Sequence, residues 1–233
     1  MRSLWVLIAF YGLVFLVIWG GQWIGVRPPG IVAVALVVGF CAWSARRHGD
    51  GREKLGLERR WLGPCARLTL AWAGPPLLIL VAWAAWPPWP TAERLLFGAK
   101  GVPPALAQVP LPVLLVLGLL RYPLWAAAQQ YALLSFSGNR CRELLGEAHP
   151  WRAAFLNGAL FSLAHAPNPI LMTACAVAGV VFTRVFQKAP HLLPLALAHA
   201  VAGLCLSVIF RDFYPAMMVG PAYLKYAAAS LGR

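Results

Sequence analysis

The sequence contains little charge, and acidic residues are its scarcest component. Only 12% of the 233 residues are charged, and 7 Asp and Glu residues stand against 20 Lys and Arg residues. Soluble domains contain about twice that share of charged residues, so an ordinary soluble domain is excluded. The sequence also contains no long polar tract, which excludes an extended disordered region.

Two further absences narrow the classes of function. The net charge is +13, but the basic residues are scattered, without aromatic interleaving or a nucleic-acid-binding motif. No nucleic acid is therefore expected as a partner. The five cysteines show no C-x-x-C spacing, so neither a disulfide framework nor a zinc site is expected. No cofactor is predicted.

Long apolar runs take up most of the chain, and 61% of its residues are hydrophobic. A helix needs about 20 mainly apolar residues to span a bilayer. We therefore predict an all-α fold: a polytopic membrane helix bundle with about seven or eight transmembrane helices, in one integral membrane domain over residues 1–233. The predicted helices are Leu4–Trp19, Ile31–Trp43, Leu68–Trp86, Leu111–Phe136, Ala153–His165, Pro169–Phe186 and His191–Phe210, with Tyr214–Leu231 as an eighth helix or an interfacial segment.

The charge distribution predicts how this domain lies in the membrane. Residues 1–110 supply the N-terminal helices and a basic loop, with Thr91–Pro110 along the interface, and residues 111–210 supply a core. Alternating the loops places 13 Lys and Arg residues on the side of the N-terminus and 6 on the other side. Basic residues favour the cytoplasmic side. We therefore expect a multi-pass protein with a cytoplasmic N-terminus, in the cell membrane if the source is bacterial.

Three of the apolar runs contain polar side chains at similar depth. Gln129 and Gln130 lie in the fourth run, His165 ends the fifth, and His199 lies in the seventh. At about 1.5 Å per residue, Gln129, His165 and His199 lie roughly 12, 20 and 14 Å from the predicted cytoplasmic ends of their helices. A polar residue at that depth is costly, and a functional role is its default interpretation. For a single histidine, the alternative is an interhelical hydrogen bond. Because the depths match, we predict one shared site.

Three motifs stand in order along the chain: the pair Gln129-Gln130, then Phe161-x-x-x-His165, then a second histidine, His199. With Leu55-Gly56-Leu57 and the segment His165–Pro169, they resemble the CAAX prenyl protease and bacteriocin-processing family of intramembrane proteases. The similarity covers about residues 120–205 well. It implies an endopeptidase in which a glutamate and two histidines activate a water molecule against a peptide bond of a lipidated or membrane-embedded substrate.

The chain departs from that family at four positions. The family has Glu-Glu-x-x-x-Arg in its first motif and an Asn four residues after its second histidine, which the resemblance implies would help stabilise the oxyanion. Here those positions are Gln129-Gln130, Leu134 and Gly203. Glutamine cannot take a proton near neutral pH, and no Asp or Glu lies within a predicted span. The acidic pair and the arginine of the family motif are both replaced by uncharged residues, so no unpaired charge is left buried. We therefore expect a natural variant with a neutral, hydrogen-bonding cavity.

Two routes to hydrolysis remain open. His165 or His199 could be the base, because the pKa of histidine lies near working pH, while the glutamine amides position the water or the oxyanion. A thiol of Cys175 or Cys205 is a second, less favoured nucleophile. A metal bound by His165 and His199 is not favoured, because two histidines without a carboxylate under-ligate a catalytic zinc.

Two functions are consistent with these residues. The first is an intramembrane endopeptidase-like protein that acts on a hydrophobic or lipidated peptide, with the catalytic set His165, His199, Gln129 and Gln130. The alternative is a catalytically silent relative that binds a membrane peptide or lipid in sorting, chaperoning or immunity. The expected pocket residues are Phe161, Tyr131, Asn168 and Gly203. For Phe161 we also expect packing against the His165 ring, and for Asn168 a helix cap.

Overall fold

A computed structural model describes residues 2–24, 30–86, 108–209 and 218–231, which form an all-α bundle. A π-helical segment, Tyr131–Gly138, joins α4 to α5. The only β pairing in these four ranges is an isolated bridge between Leu57 and His191. The predicted fold class is confirmed. The helices are α1 (Arg2–Trp23), α2 (Gly30–His48), α3 (Leu62–Ala84), α4 (Leu111–Gln130), α5 (Asn139–Leu145), α6 (Pro150–Leu163), α7 (Pro169–Lys188), α8 (Leu192–Ile209) and α9 (Pro221–Leu231).

Four described helices are long and apolar enough to cross a membrane: α1, α3 with the turn before it, α7 and α8. Large apolar side chains on α3 are exposed, with Leu70 at 71% and Leu78 at 70%. An apolar face of this kind is unfavourable in water and is accommodated by lipid. A total of seven or eight spans stays a prediction, and the interfacial placement of Thr91–Pro110 falls mostly outside the described residues. Helix α9 lies within the predicted Tyr214–Leu231 segment, and its 11 residues are too few to span alone.

The predicted end of the fourth helix, at Phe136, is wrong. Helical structure continues beyond that residue, through the π-helical segment and α5, to Leu145. The reason is Arg140, whose fully buried side chain pairs with Asp50 and, at 2.6 and 2.7 Å, with Glu143. Burial by itself would raise the pKa of Glu143, but the hydrogen bonds and charge of Arg140 lower that pKa below its ordinary value. These two carboxylates balance the charge of Arg140 inside the protein, so its side chain does not need to reach water. The helix can therefore continue past Arg140.

The loop after α2 contacts both the π-helical segment and the start of α8. Ser135 Oγ donates a hydrogen bond of 2.9 Å to the carbonyl of Leu55. The next residue, Gly56, has φ +69°, and a Cβ added there would lie 2.6 Å from the Phe186 ring. Only glycine fits that conformation and space. The Gly56 carbonyl accepts a hydrogen bond of 3.0 Å from the amide of Leu192, so this loop fixes the beginning of α8.

Helices α6 and α7 cross at two glycines. A Cβ added to Gly158 would lie 2.8 Å from the Ala176 carbonyl oxygen, and one added to Gly179 would lie 2.8 Å from the Cα of Gly158. Small residues of this kind let helix backbones approach closely in membranes. The crossing therefore fixes the position of His165, which follows the end of α6, relative to α7.

Replacing Gly158 with alanine is expected to lower the free energy of unfolding by about 1–3 kcal/mol, because the two backbones must separate to admit the methyl group. The measurement is denaturant unfolding of the purified protein in detergent micelles. Gly12→Ala in α1 is the matched control, since nothing lies within 4 Å of a Cβ there. Equal effects of the two substitutions would contradict the close crossing.

Candidate active site

His165 lies in the turn after α6, and its ring is oriented by the end of that helix. The backbone amide of His165 bonds the carbonyl of Ser162 instead of that of Phe161. The Phe161 carbonyl, freed by the end of the helix, lies 2.8 Å from His165 Nδ1. A carbonyl can only accept, so Nδ1 donates, and the neutral ring has its lone pair on Nε2.

His199 lies in the middle of α8 and is oriented by Gln130. The amide nitrogen of Gln130 lies 2.8 Å from His199 Nδ1. An amide nitrogen only donates, so Nδ1 accepts and the proton of the neutral ring is on Nε2. Gln130 is fully buried, and among the described residues its Oε1 has no hydrogen-bond partner. With the Gln130 amide oriented in this way, the two histidines have opposite tautomers.

Phe161 packs against both imidazoles. Its ring centroid lies 4.8 Å from that of His165 and 6.1 Å from that of His199, edge-on in each case. Phe182 lies on another side of His199, with the ring centroids 6.4 Å apart. Both phenylalanines are buried. This aromatic packing restricts rotation of the two histidine rings.

The two histidines line one cavity of about 780 Å³, together with Gln129 and Phe161. Most other lining residues are apolar, and they come from α1, α2, α3, α4, α7 and α8 as well as from the π-helical segment. None of the described lining residues is Asp or Glu. Gln130 does not line the cavity, because its side chain is hydrogen-bonded to Nδ1 of His199. Adjacent residues of a helix point about 100° apart, which explains why one glutamine faces the cavity and its neighbour faces a histidine.

Tyr131 and Asn168, both expected to line the pocket, do not line the cavity. Tyr131 opens the π-helical segment and packs against the cluster of buried residues that contains Phe10 and Phe136. Asn168 is fully buried and caps α7, with its side-chain oxygen accepting from the amides of Ile170 and Leu171. Its amide nitrogen donates to the carbonyl of Met218 at 2.9 Å. Asn168 therefore has the alternative role expected for it, that of a helix cap.

The two other departures from the family pattern have distinct surroundings. Leu134 is fully buried in an apolar cluster, where an unpaired guanidinium would be costly. Gly203 lines the cavity, and a Cβ added there would overlap the hydroxyl of Tyr122 and lie 2.6 Å from its Cζ. Tyr122, which also lines the cavity, was not among the predicted site residues. Its position seven residues before Gln129, two helical turns on the same face, is the sequence signal that indicates it.

The candidate thiols differ in their access to this site. Cys175 lines the cavity, whereas Cys205 is buried outside the lining set. No group of three or more His, Cys, Asp or Glu side chains within the described part of the chain is arranged to hold a metal ion. An ion between His165 and His199 would therefore take its other ligands from water or substrate.

These features define an integral membrane protein, a bundle of α-helices with two histidines and a glutamine on one cavity. Residues 119–205 match the family model described as Rce1-like, type II CAAX prenyl endopeptidase Rce1-like. The match runs from α4 to α8 and includes Gln129, Gln130, His165 and His199. The predicted resemblance to CAAX-type proteases is thereby confirmed for that region. No curated protein and no solved structure matched the chain.

Proposed function

We propose that the protein is an intramembrane endopeptidase of the CAAX type, in which His165 takes the place of the missing glutamate as proton acceptor. The supporting observation is that both histidines line one cavity and that each has its Nδ1 in contact with a polar group of the protein. His165 Nδ1 is occupied by a carbonyl, which leaves Nε2 as a base. His199 Nδ1 is occupied by Gln130, which leaves Nε2–H as a donor. A water molecule between an acceptor and a donor is oriented for proton loss.

The proposed reaction needs only water and a peptide. The water oxygen attacks the carbonyl carbon of the scissile bond while its proton moves to His165 Nε2. The carbon–nitrogen bond then breaks, and the same proton passes from His165 to the leaving amine. In this mechanism, His199 Nε2–H and the Gln129 amide donate to the water or the developing oxyanion. The products are a new carboxyl end and a new amine end.

The cavity indicates the class of substrate. Its volume is about 780 Å³ and its lining is mostly apolar side chains from several helices. Apolar pockets of this size select ligands with hydrophobic surface, and a few polar groups fix the orientation. We therefore propose a peptide with a hydrophobic or lipidated tail as the substrate, entering from the bilayer.

One observation favours a second candidate, a catalytically silent protein that binds a membrane peptide or lipid. Within the described lining there is no carboxylate, and Leu134 leaves no cation to balance one. A neutral cavity can retain a hydrophobic ligand without cleaving it. The two candidates differ in one result, the cleavage of a hydrophobic-tail peptide by the purified protein in lipid nanodiscs.

Replacing Gln129 with glutamate is expected to move the low-pH limb of cleavage to higher pH. In the wild type, the rate falls as the pH drops through the pKa of the histidine base, because the protonated ring accepts no proton. A negative charge on the cavity that both histidines line favours the protonated form of the histidine base. The variant therefore loses its proton acceptor at a higher pH than the wild type does. The measurement is the pH profile of kcat/KM for wild type and variant on one peptide.

Gln187→Glu is the matched control, because Gln187 lies outside the cavity and bonds Arg184. Its pH profile should follow that of the wild type. The second candidate, a catalytically silent protein, predicts a different result in this cleavage assay. In that case the wild type cleaves nothing, and cleavage begins only when Gln129→Glu is combined with Leu134→Arg.

A further inference from the structure

Tyr122 occupies the space in front of Gly203. A Cβ at Gly203 would overlap the Tyr122 hydroxyl and would lie 2.6 Å from Cζ and 2.9 Å from Cε1. These are side-chain atoms of a residue on α4, reaching across to the backbone of α8. The absence of a side chain at Gly203 is therefore what admits the phenol to this position.

Tyr122 lies near two polar residues of the site, His199 and Gln129. Gly203 follows His199 by one helical turn, and Tyr122 precedes Gln129 by two turns, so both pairs share a face of their helix. All four residues line the same cavity. The phenol therefore lies on the cavity wall one turn along α8 from His199.

The hydroxyl is free to bind a ligand. Within the described part of the chain, no side chain or backbone group forms a hydrogen bond with it. A tyrosine hydroxyl that is half-buried in an apolar wall usually has a polar partner. A phenol donates well to a carbonyl oxygen and is neutral, so it fits a cavity without charges.

We infer that Tyr122 donates a hydrogen bond to the carbonyl oxygen of the bound peptide at the position where cleavage occurs. This inference rests on the proposed function. The asparagine that the family resemblance leads one to expect at residue 203 is absent, and Tyr122 supplies a donor to the same space from a different helix. A hydrogen-bond donor is thereby retained one turn from His199, supplied by the Tyr122 phenol on α4 instead of an asparagine on α8.

The direct test uses a hydrophobic-tail peptide in which a ketone with an isotope-labelled carbonyl replaces the scissile amide. The ketone cannot be hydrolysed, so its infrared stretching frequency reports hydrogen bonding whether or not the protein is an enzyme. The frequency should be lower when the peptide is bound to the wild type than when it is bound to Tyr122→Phe. Tyr131→Phe is the matched control, since Tyr131 lies outside the cavity lining, and it should retain the lower frequency.

A rescue variant separates hydrogen bonding from packing. Tyr122→Ala should lose the frequency shift, and adding Gly203→Asn to it should restore the shift, because the amide then enters the vacated space. On a cleavable peptide, Tyr122→Phe should reduce kcat by about 10²- to 10³-fold with little change in KM, as for other single oxyanion donors. A thermal melt of each variant establishes that it is folded.

The outcomes distinguish this inference from the proposed function. Equal ketone frequencies in wild type and Tyr122→Phe would overturn the inference, even if the wild type cleaves peptides. A Tyr122-dependent shift without any cleavage would support the hydrogen bond from Tyr122 to the bound carbonyl and overturn hydrolysis. No binding of the ketone peptide would overturn the inference, because no carbonyl would then reach Tyr122.

Discussion

Replacing His165 with alanine is expected to reduce kcat/KM for a hydrophobic-tail peptide by about 10²- to 10⁴-fold, the usual contribution of a general base. The Phe161 carbonyl lies 2.8 Å from Nδ1 of His165, so the lone pair of its neutral ring is on Nε2. Loss of the ring therefore removes the proton acceptor and leaves the donor His199 in place. The measurement is steady-state cleavage by purified protein in nanodiscs.

His149→Ala is the matched control for this substitution. His149 precedes α6, the helix that His165 follows, and its side chain is exposed. The control should retain the wild-type rate. If His165→Ala cleaves as fast as the wild type, His165 is not the base, and the proposed mechanism is wrong even if the protein is a protease.

The largest expected effect on stability comes from Asp50. Its carboxylate pairs with Arg140, and both side chains are fully buried. Asp50→Asn keeps the shape but removes the charge, so the guanidinium is left with Glu143 as its remaining anionic partner. Breaking a buried pair in this way costs about 3 kcal/mol or more. The free energy of unfolding in detergent micelles should fall by that amount.

An exposed ion pair on the same part of the chain is the control. Glu147 lies 3.4 Å from Arg142 and its side chain is 80% exposed, so Glu147→Gln should change the free energy of unfolding by less than about 1 kcal/mol. Adding Arg140→Met to Asp50→Asn should recover part of the loss, since no buried guanidinium then remains. An effect of Asp50→Asn no larger than that of Glu147→Gln would contradict the importance of this buried pair.

Depth along apolar helices was enough to place the main residues of the candidate site near one another. An apolar run fixes how a helix lies in the bilayer, and the rise per residue then fixes the depth of each side chain. Gln129, His165 and His199 were grouped on that basis, and they line one cavity in the structure. Their roles in catalysis stay a proposal.

The direction in which each side chain points around its helix axis could not be predicted from the sequence in the same way. Gln129 and Gln130 have the same depth and chemistry, and only packing decides that Gln130 lies behind His199 while Gln129 faces the cavity. The same limit applies to Tyr131, which packs into an apolar cluster. Tyr122 was missed because a tyrosine in an apolar run is an ordinary residue until its neighbour on another helix, Gly203, is known.

Pairing between distant residues accounts for the error at the end of the fourth helix. Basic residues near the end of an apolar run normally indicate a loop at the membrane surface. Arg140 instead pairs with Asp50, which lies 90 residues earlier in the chain. Nothing in the local sequence around Arg140 indicates that partner, so the continuation into α5 could not be predicted.

The central claim is that this site hydrolyses a peptide bond with a water molecule activated by His165. The most direct measurement is mass spectrometry of a hydrophobic-tail peptide incubated with the purified wild-type protein in water labelled with heavy oxygen. Hydrolysis predicts two fragments, with one labelled oxygen atom in the newly formed carboxyl group. With His165→Ala, the fragments should form about 10²- to 10⁴-fold more slowly. A peptide that binds to the wild-type protein and remains intact would contradict the claim.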